Sequence, residues 1–358
     1  MERYLTNHEI VIAARRNADG STWDYICGGS ETETTMRRNR QALDSIAFRP
    51  RVLADVSRID TSTSILGLPC RIPVFLAPMA SLQLMTPAGG NAADDAAERF
   101  GIVNVLSGHT APGLEAVGAN SPHGKIYQIY VRGDRDWTVE LLGRVKKAGY
   151  KALAVTVDTA VYSNRERQMM AGWEPPTRRN SEGRDWLSGL TWDTFDDIAR
   201  IWGGPTIIKG IGSAADARRA VEHGAAVVYV SNHGGRQLDQ DRGSISALPE
   251  IVEAVAGRAE VWVDGGFVRG SDVVKAIALG ASAVGIGKLQ AWALTAGGAD
   301  ALHDCLEILE LEIRSCMGLL GVNRLSEIGK SHLAPARPTG PCHEMSAFPH
   351  LPRGGRLT

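Results

Sequence analysis

The chain has 358 residues, of which 44% are apolar and 22% charged, and its formal net charge is −1. These values are typical of a soluble globular protein with a large core, and the absence of a basic stripe with interleaved aromatics disfavours nucleic-acid binding. The chain start lacks a signal-like apolar region, and no apolar run reaches the length of about 18 residues that a membrane span needs. We therefore expect a cytoplasmic protein with neither nucleic-acid nor membrane partners. The cysteines lack metal-ligand spacing, which predicts reduced thiols and no metal site.

Residues 1–70 precede a regular β/α pattern and are predicted to form a mainly helical extension. The predicted helices are Glu9–Asn17, Trp23–Ile26 and Glu33–Asp44. Gly28-Gly29 is typical of a helix end. Two β-rich runs on either side of Gly67, Ile59–Ile65 and Arg71–Ile72, predict a hairpin that plugs the lower mouth of the following domain.

From residue 71 onward, short β-rich runs alternate with amphipathic helical segments. The predicted strands are Ile72–Leu76, Ile102–Leu106, Ile126–Val131, Ala152–Val157, Thr206–Ile208, Ala226–Val230, Val261–Val263 and Ala283–Ile286. The helical segments include Trp137–Ala148, Ala214–His223, Ile245–Ala256, Ser271–Leu279 and, after the last strand, Trp292–Leu320 as a long helix or a helix pair. Strand runs without polar alternation indicate parallel strands that are buried on both faces.

Eight such units between Ile72 and Gly321 predict an α/β fold of the (β/α)8 TIM-barrel type. The alternative is a doubly wound open sheet, which the absence of a GxGxxG motif after the first strand disfavours. Residues 71–332 are thus interpreted as the barrel domain.

Two segments do not follow the β/α period. The interval 162–190, after the fourth strand, is long and aperiodic, which is typical of a functional lid loop or of disorder. Residues 333–358 contain five prolines and predict an extended or flexible tail.

The sixth strand runs into the most informative stretch of the chain, SNHGGRQLD at residues 231–239. His233 has the ordinary pKa of a general base near neutrality, and Asp158 at the end of the fourth strand is suited either to orient that imidazole or to cap a helix. Arg165 and Arg236 are each suited to a two-point contact with a carboxylate. The alternatives are a solvated lid arginine for Arg165 and a tight solvent-facing turn for the whole stretch.

Further chemistry follows the neighbouring strands. Lys209 ends the fifth strand, where an ammonium suits either an electron-rich cofactor atom that becomes anionic or a Schiff base. Two glycine loops, Asp264-Gly265-Gly266 before Arg269 and Gly285-Ile286-Gly287-Lys288, follow the seventh and eighth strands. This is where a TIM barrel usually binds a phosphate.

Together these residues resemble the FMN-dependent L-2-hydroxy-acid oxidase/dehydrogenase family, from about Trp23 to His332. SNHGGRQLD is joined in chain order by TVDT at 156–159, IKG at 208–210 and DGG…RGSDVVKAIALGA at 264–281. The resemblance implies FMN as cofactor, a small 2-hydroxy acid as substrate and a homotetramer.

The resemblance also implies a role for each matching residue. His233 takes a proton with support from Asp158, Tyr130 binds the substrate hydroxyl, and Lys209 stabilises the reduced flavin. The substrate carboxylate is held by Tyr25, Arg236 and Arg165. The isoalloxazine wall consists of Ala77, Pro78, Met79, Ser107, Gln128, Thr156 and Ser231. The ribityl and phosphate groups are held by Asp264, Gly265, Gly266, Arg269, Gly287 and Lys288.

The chain departs from the family pattern at three positions. Val268 stands where the arginine that binds the phosphate is usual, and Lys288 stands for an arginine of the second glycine loop. A lysine neutralises phosphate without the bidentate contact of arginine, which predicts weaker cofactor binding. His109 occupies a substrate-side position where a bulky apolar or aromatic residue is common.

The predicted reaction is the oxidation of an (S)-2-hydroxy acid to the 2-oxo acid. His233 removes either the hydroxyl proton, with hydride transfer to the flavin, or the Cα proton, and O2 is the expected acceptor, giving H2O2. The alternatives are a dehydrogenase that uses a quinone or another acceptor, a Schiff-base or phosphate-binding lyase or isomerase that uses Lys209, and a non-catalytic barrel. A roomy pocket for large side chains is one interpretation of Met79, His109, Tyr162, Met169 and Trp173, and simple packing of the lid is the other.

Overall fold

The computed structural model of the protein describes residues 3–120, 124–176, 185–343 and 345–351. Its strands are β1 Ile46–Phe48, β2 Thr63–Ile65, β3 Leu68–Cys70, β4 Val74–Leu76, β5 Asn104–Ser107, β6 Lys125–Ile129, β7 Ala152–Thr156, β8 Thr206–Ile211, β9 Val227–Val230, β10 Glu260–Val263, β11 Ala283–Ile286 and β12 Leu333–Pro335. Its α-helices are α1 Asn7–Asn17, α2 Gly20–Cys27, α3 Thr34–Asp44, α4 Gly89–Phe100, α5 Leu114–Asn120, α6 Arg135–Lys147, α7 Glu166–Met170, α8 Asp185–Ser188, α9 Trp192–Trp202, α10 Ala214–Glu222, α11 Ser244–Val255, α12 Gly270–Ala278 and α13 Lys288–Leu320. None of the helices in the described ranges is both long and apolar enough to cross a bilayer.

Strands β4 to β11 form one closed parallel barrel, in which β11 pairs with β4 through Val284 and Val74. The interior is packed rather than hollow, because Phe75, Tyr229 and Trp262 are fully buried and their rings contact one another. The predicted (β/α)8 barrel is therefore confirmed, and the open-sheet alternative is wrong. All eight predicted strands are present in the predicted order.

Strand β8 is longer than predicted and contains an irregularity at Gly210. Its register with β9 shifts between Lys209 and Ile211, as in a β-bulge. Gly210 has φ +111°, and a Cβ there would approach the Asp158 side chain to 2.6 Å. A glycine is thus required for the ends of β7 and β8 to come so close together.

The N-terminal extension packs on both ends of the barrel. A hairpin is present on either side of Gly67, but it is formed by β2 and β3, so its second strand is Leu68–Cys70 and not the predicted Arg71–Ile72. Ile65 and Cys70 are buried in the same cluster as the barrel interior. Gly28 caps α2 with its amide donating to the Asp24 carbonyl oxygen at 2.9 Å, as expected from the glycine pair.

The C-terminal region is more ordered in part than its prolines suggest. Residues Leu333–Pro335 pair with β1, and Met345 and Phe348 are buried, with Phe348 packed edge-on to Trp292. These apolar side chains anchor a segment that the proline count alone predicts to be flexible. Of the predicted tail, residues 344 and 352–358 lie outside the described residues.

The last helical segment is divided by two glycines, and the predicted lid contains short helices. Helix α13 is interrupted at Gly297 and Gly298, whose backbone angles are not helical, so the last helical segment is a helix pair. The predicted lid contains α7 and α8, and residues 177–184 between them lie outside the described residues.

A buried ion pair joins the extension to the barrel. Arg40 on α3 donates from Nη1 and Nη2 to the two carboxylate oxygens of Asp272 on α12, both at 2.8 Å. Both side chains are almost completely buried, and Asp44 lies 2.7 Å from the same guanidinium. The two acidic neighbours raise the pKa of Arg40 despite its burial, so the pair stays ionised.

We expect Arg40→Met to lower the free energy of unfolding by about 3–5 kcal/mol, because it leaves the Asp272 carboxylate buried without its cation. Denaturant unfolding followed by circular dichroism measures this loss. Arg37→Met, an exposed arginine on the same helix, is the control and should change the value by about 0.5 kcal/mol or less. Equal losses for the two variants would contradict the role of the ion pair.

Candidate active site

One large cavity opens at the carboxyl ends of the barrel strands and contains about 1430 Å3 of unfilled space, including its mouth. Most residues that the sequence predicts for the site line it. They are Tyr25, Ala77, Pro78, Met79, His109, Tyr130, Arg165, Lys209, His233, Arg236, Asp264, Gly265, Gly266, Gly287 and Lys288. The predicted residues that do not line it are Ser107, Gln128, Thr156, Asp158, Ser231 and Arg269.

His233 lies between an acidic and a phenolic partner. Its Nδ1 is 3.0 Å from Asp158 Oδ1, and its Nε2 is 3.5 Å from the Tyr130 hydroxyl. The residue adopts φ +58°, which turns the chain sharply after β9 and is uncommon outside glycine. The imidazole is therefore oriented by the carboxylate on one side, with its other nitrogen directed toward the cavity residue Tyr130.

The surroundings keep this imidazole neutral and the phenol protonated. Burial, together with the nearby cations Lys209 and Arg165, lowers the pKa of His233, although Asp158 acts in the opposite direction. Burial would raise the pKa of Asp158, but His233 and Lys209 outweigh it, so the pKa is lowered and Asp158 is ionised. Burial and Asp158 raise the pKa of Tyr130 well above its usual value. A neutral base thus faces a hydrogen-bond donor.

Two arginines lie together beside this base. Arg236 donates from Nη1 to the carbonyl oxygens of Tyr25 and Gly28, both at 2.7 Å, and its guanidinium carbon is 5.0 Å from the Tyr25 ring. Arg165 approaches the Arg236 carbonyl oxygen at 3.5 Å, and its buried Nε has no hydrogen-bond partner in the described residues. Burial and the charge of Arg165 lower the pKa of Arg236 to about 10. Such a pair is suited to bind an anion.

Lys209 belongs to a separate polar network at the cavity floor. Its Nζ donates to Ser231 Oγ at 3.0 Å and is 3.7 Å from Asp264 Oδ2. Ser231 Oγ donates in turn to Asp264 Oδ1 at 2.6 Å, and the Tyr229 hydroxyl donates to Oδ2 at 2.8 Å. The ammonium is therefore held by a carboxylate, which suits it for charge stabilisation and not for the neutral amine that a Schiff base needs.

The predicted isoalloxazine wall contains an unsatisfied acceptor. Gln128 on β6 donates from Nε2 to Thr156 Oγ1 at 2.9 Å, which fixes the amide, while its buried Oε1 has no hydrogen-bond partner among the described residues. Buried acceptors are rarely left in this state. Gln128 is outside the cavity lining, in which Ala77, Pro78 and Met79 represent the predicted wall. These three residues and a nearby acceptor without a partner fit a ring that carries hydrogen-bond donors, as the flavin of FMN does.

The opposite end of the cavity is lined by the two glycine loops. Gly265 and Gly266 have φ +107° and +83°, and Lys288 begins α13, where its Nζ donates to the Cys27 carbonyl oxygen at 2.8 Å. Loop backbone that lines the cavity, a helix N-terminus and a cation fit a phosphate. The residues present therefore fit FMN at both ends.

One residue of the first glycine loop, Arg269, points in a different direction from what the sequence suggests. The Arg269 guanidinium turns to α13, where its Nη2 lies 2.6 Å from Glu312 Oε1. Val268 is buried and lines the cavity. The assignment of Arg269 to the phosphate stays a prediction, and Lys288 is the predicted cofactor cation that lines the cavity at this end.

Sequence reasoning did not assign several residues that build the site from α3. Asn39 and Asn232 exchange hydrogen bonds between their amides, at 3.0 and 2.8 Å, and Arg40 also lines the cavity. Asn39 and Asn232 are 193 positions apart, so no local pattern reveals the pair. Gln237 donates to the carbonyl oxygens of Asp158 and Val161 and so links the β9 turn to the lid. In the part of the chain that the structure describes, no cluster of potential metal ligands is found.

Comparisons with known proteins agree on one family. The family model described as "FMN-dependent dehydrogenase" matches residues 14–335. Glycolate oxidase of Spinacia oleracea is 37% identical over 353 residues, covering 92% of this chain and 96% of the relative. L-lactate oxidase of Nostoc sp. is 38% identical, covering 89% and 95%. A crystal structure of mandelate oxidase with (S)-2-phenylpropionate has a TM-score of 0.87 at 35% identity, covering 94% of this chain and all of that chain.

We expect Asp158→Asn to lower the pKa of His233 further, because the carboxylate is the neighbour that raises it. An NMR titration with labelled histidine measures this pKa, with the signal assigned by its loss in His233→Gln. The imidazole of the variant should stay neutral to lower pH than that of the parent protein.

The matched control is Asp196→Asn, because Asp196 is 2.8 Å from His223 in a second carboxylate–imidazole pair outside the cavity. It should leave the His233 titration unchanged. An unchanged or raised His233 pKa in Asp158→Asn would contradict the electrostatic assignment.

Proposed function

This chain belongs to the FMN-dependent dehydrogenase family, and from that premise we propose how its own residues oxidise a 2-hydroxy acid. The protein is an FMN-dependent 2-hydroxy-acid oxidoreductase that forms the 2-oxo acid. Bound FMN supplies the acceptor for the two electrons that leave the substrate. The observation that carries the assignment of roles is the position of His233 between Asp158 and Tyr130, beside two arginines.

The arginines orient the substrate by its carboxylate. Arg165 and Arg236 line the same cavity as His233, and in the described residues neither of them is paired with a carboxylate. A bound carboxylate relieves the repulsion between the two guanidinium groups. With the carboxylate fixed there, the neighbouring hydroxyl carbon comes next to the imidazole.

His233 then removes the proton. Its lowered pKa keeps Nε2 unprotonated near neutrality, and Asp158 stabilises the imidazolium that forms. Tyr130 remains protonated and donates a hydrogen bond to the substrate hydroxyl oxygen. Both proton sources, the hydroxyl group and Cα, are compatible with this arrangement.

Lys209 stabilises negative charge that develops at the cavity floor. A fixed ammonium, buried and hydrogen-bonded to Ser231, needs no reorganisation when that charge appears. Its contact with Asp264 favours this role over the Schiff-base alternative.

We assign O2 as the electron acceptor with formation of H2O2, as the names of the related glycolate, lactate and mandelate oxidases suggest. The quinone-linked dehydrogenase is the alternative acceptor choice. The cytoplasmic location and the homotetramer remain predictions.

We expect His233→Asn to slow anaerobic flavin reduction by a 2-hydroxy acid by about 100- to 10,000-fold, because the general base is lost. Stopped-flow bleaching of the flavin absorbance at saturating substrate measures the rate. His223→Asn, a histidine outside the cavity, is the control and should keep the parent rate. Bleaching of His233→Asn at the parent rate would remove this residue from the chemistry.

The substrate side chain is proposed to be larger than that of glycolate. Met79, His109 and Tyr162 line the cavity as the roomy-pocket interpretation expects, whereas Met169 is 57% exposed and Trp173 packs against the Tyr25 ring. The structural similarity to mandelate oxidase supports a pocket of this size.

We expect the rate constant for flavin reduction, divided by the substrate dissociation constant, to be about tenfold or more higher for mandelate than for glycolate, since burial of the larger side chain stabilises the complex. The comparison is made anaerobically so that the acceptor does not enter, with lactate as the intermediate case. A strong preference for glycolate would defeat the roomy-pocket interpretation and leave the lid-packing one.

A further inference from the structure

We propose that His109 selects 2-hydroxy acids whose side chain carries an uncharged hydrogen-bonding group, such as a hydroxyl. This inference rests on the proposed function, because it assigns the substrate class of the same site. Four observations carry it: the place of the imidazole, its unused hydrogen-bonding capacity, its charge and its surroundings.

His109 lies one ring away from the predicted base. It follows β5, and its imidazole is stacked on the Tyr130 ring with the centroids 4.6 Å apart and the planes at 17°. The Tyr130 hydroxyl is in turn 3.5 Å from His233 Nε2. A substrate whose hydroxyl meets Tyr130 therefore has the rest of its structure within the cavity that His109 lines.

The ring nitrogens of His109 have no hydrogen-bond partner in the described ranges of the chain, and the half-buried residue lines the cavity. The hydrogen bonds made by this residue come from its backbone, to Ser107 Oγ at 3.3 Å and from the Ser81 amide at 2.9 Å. The backbone contacts and the stacking on Tyr130 fix the ring in place. An oriented polar group that lines a cavity without a protein partner gains from a ligand that satisfies it, because the ligand replaces water as its hydrogen-bond partner.

The imidazole is neutral, which defines the kind of ligand group. Burial and the nearby Arg132 lower the pKa of His109 to about 3, so at physiological pH it offers one donor and one acceptor. A hydroxyl group complements both. A carboxylate would receive a single hydrogen bond and no ionic partner from this ring.

Other residues of the same cavity provide apolar surface. Met79, Val161 and Leu187 line it, and such apolar groups do not distinguish a polar atom of a substrate side chain from an apolar one. His109 therefore adds directional recognition to a largely apolar pocket. A hydrogen-bonding site rejects an analogue that lacks the matching group more strongly than an apolar pocket rejects an added one.

The test compares two pairs of substrates that differ by one hydroxyl, 4-hydroxymandelate with mandelate and glycerate with lactate, by anaerobic flavin reduction. In at least one pair we expect the parent protein to prefer the hydroxyl-bearing acid by about fivefold or more, as for one hydrogen bond. His109→Phe keeps a ring that can stack on Tyr130 and should abolish that preference, whatever its effect on the absolute rates. His109→Gln should retain part of the preference.

The control is His223→Phe, because His223 is also stacked on an aromatic ring, that of Trp192, but does not line the cavity. It should keep the parent preference. A second readout that needs no turnover is the dissociation constants of benzoylformate and 4-hydroxybenzoylformate, measured from the perturbed flavin absorbance, which should differ in the parent protein and converge in His109→Phe.

Three results would overturn the inference: no preference in either pair, a preference that His109→Phe leaves intact, or a stronger preference for malate, which would assign selection to a cation such as Arg132. If no 2-hydroxy acid reduced the flavin, the proposed function would fail instead. The binding comparison would still decide the role of His109 in that case.

Discussion

Positive charge buried at the mouth of the barrel is the constraint on which the site depends. The closed barrel brings the carboxyl ends of its strands together, so Lys209, Arg165 and Arg236 share one cavity. Burial of a cation is costly unless an anion or oriented dipoles compensate it. Lys209 has Asp264, whereas Arg236 has carbonyl oxygens and the Tyr25 ring but no carboxylate among the described residues, and its pKa is lowered to about 10. The buried positive charge is therefore most fully compensated when an anionic ligand is bound. Stability of the fold and binding of such a ligand are linked through the same charges.

The turn that holds the base is supported from outside the barrel. His233 has a left-handed backbone, and such conformations persist where the surrounding structure fixes them. Its amide donates to Ser231 Oγ at 3.1 Å, and a Cβ on Gly235 would approach the Met36 backbone amide to 2.6 Å. Asn39 completes the support through its reciprocal contact with Asn232. Helix α3 is thus part of the site, although its Asn39 lies 193 positions before Asn232.

Periodicity predicted the barrel because the strand runs lack polar alternation and are separated by amphipathic helical segments. Strand ends predicted the site because a closed barrel brings them to one mouth. The β8 bulge was not predicted, since it depends on how closely Gly210 approaches Asp158. Ion pairs between residues far apart in the sequence could not be predicted from local patterns either. Arg269 lies beside a glycine loop in sequence, but Glu312, on a helix 42 positions after Gly270, directs it outward. The tail is ordered in part because Phe348 packs against Trp292, and composition alone does not predict that contact.

The two ends of the cavity are stabilised by different means. At the proposed substrate end, Arg165 and Arg236 have no carboxylate partner among the described residues, and the proposed base His233 lies next to them. At the glycine-loop end Val268 is apolar, Arg269 is engaged by Glu312 and Arg40 by Asp272, so ionic attraction for a phosphate comes chiefly from Lys288 among the described residues that line the cavity. Backbone amides and the helix dipole must then contribute a larger share of the phosphate-binding free energy than they would in a site with two arginines. The two sets of residues are nevertheless connected. Lys209 is paired with Asp264, which begins the first glycine loop. Lys288 donates to the Cys27 carbonyl oxygen, next to the Gly28 carbonyl that holds Arg236.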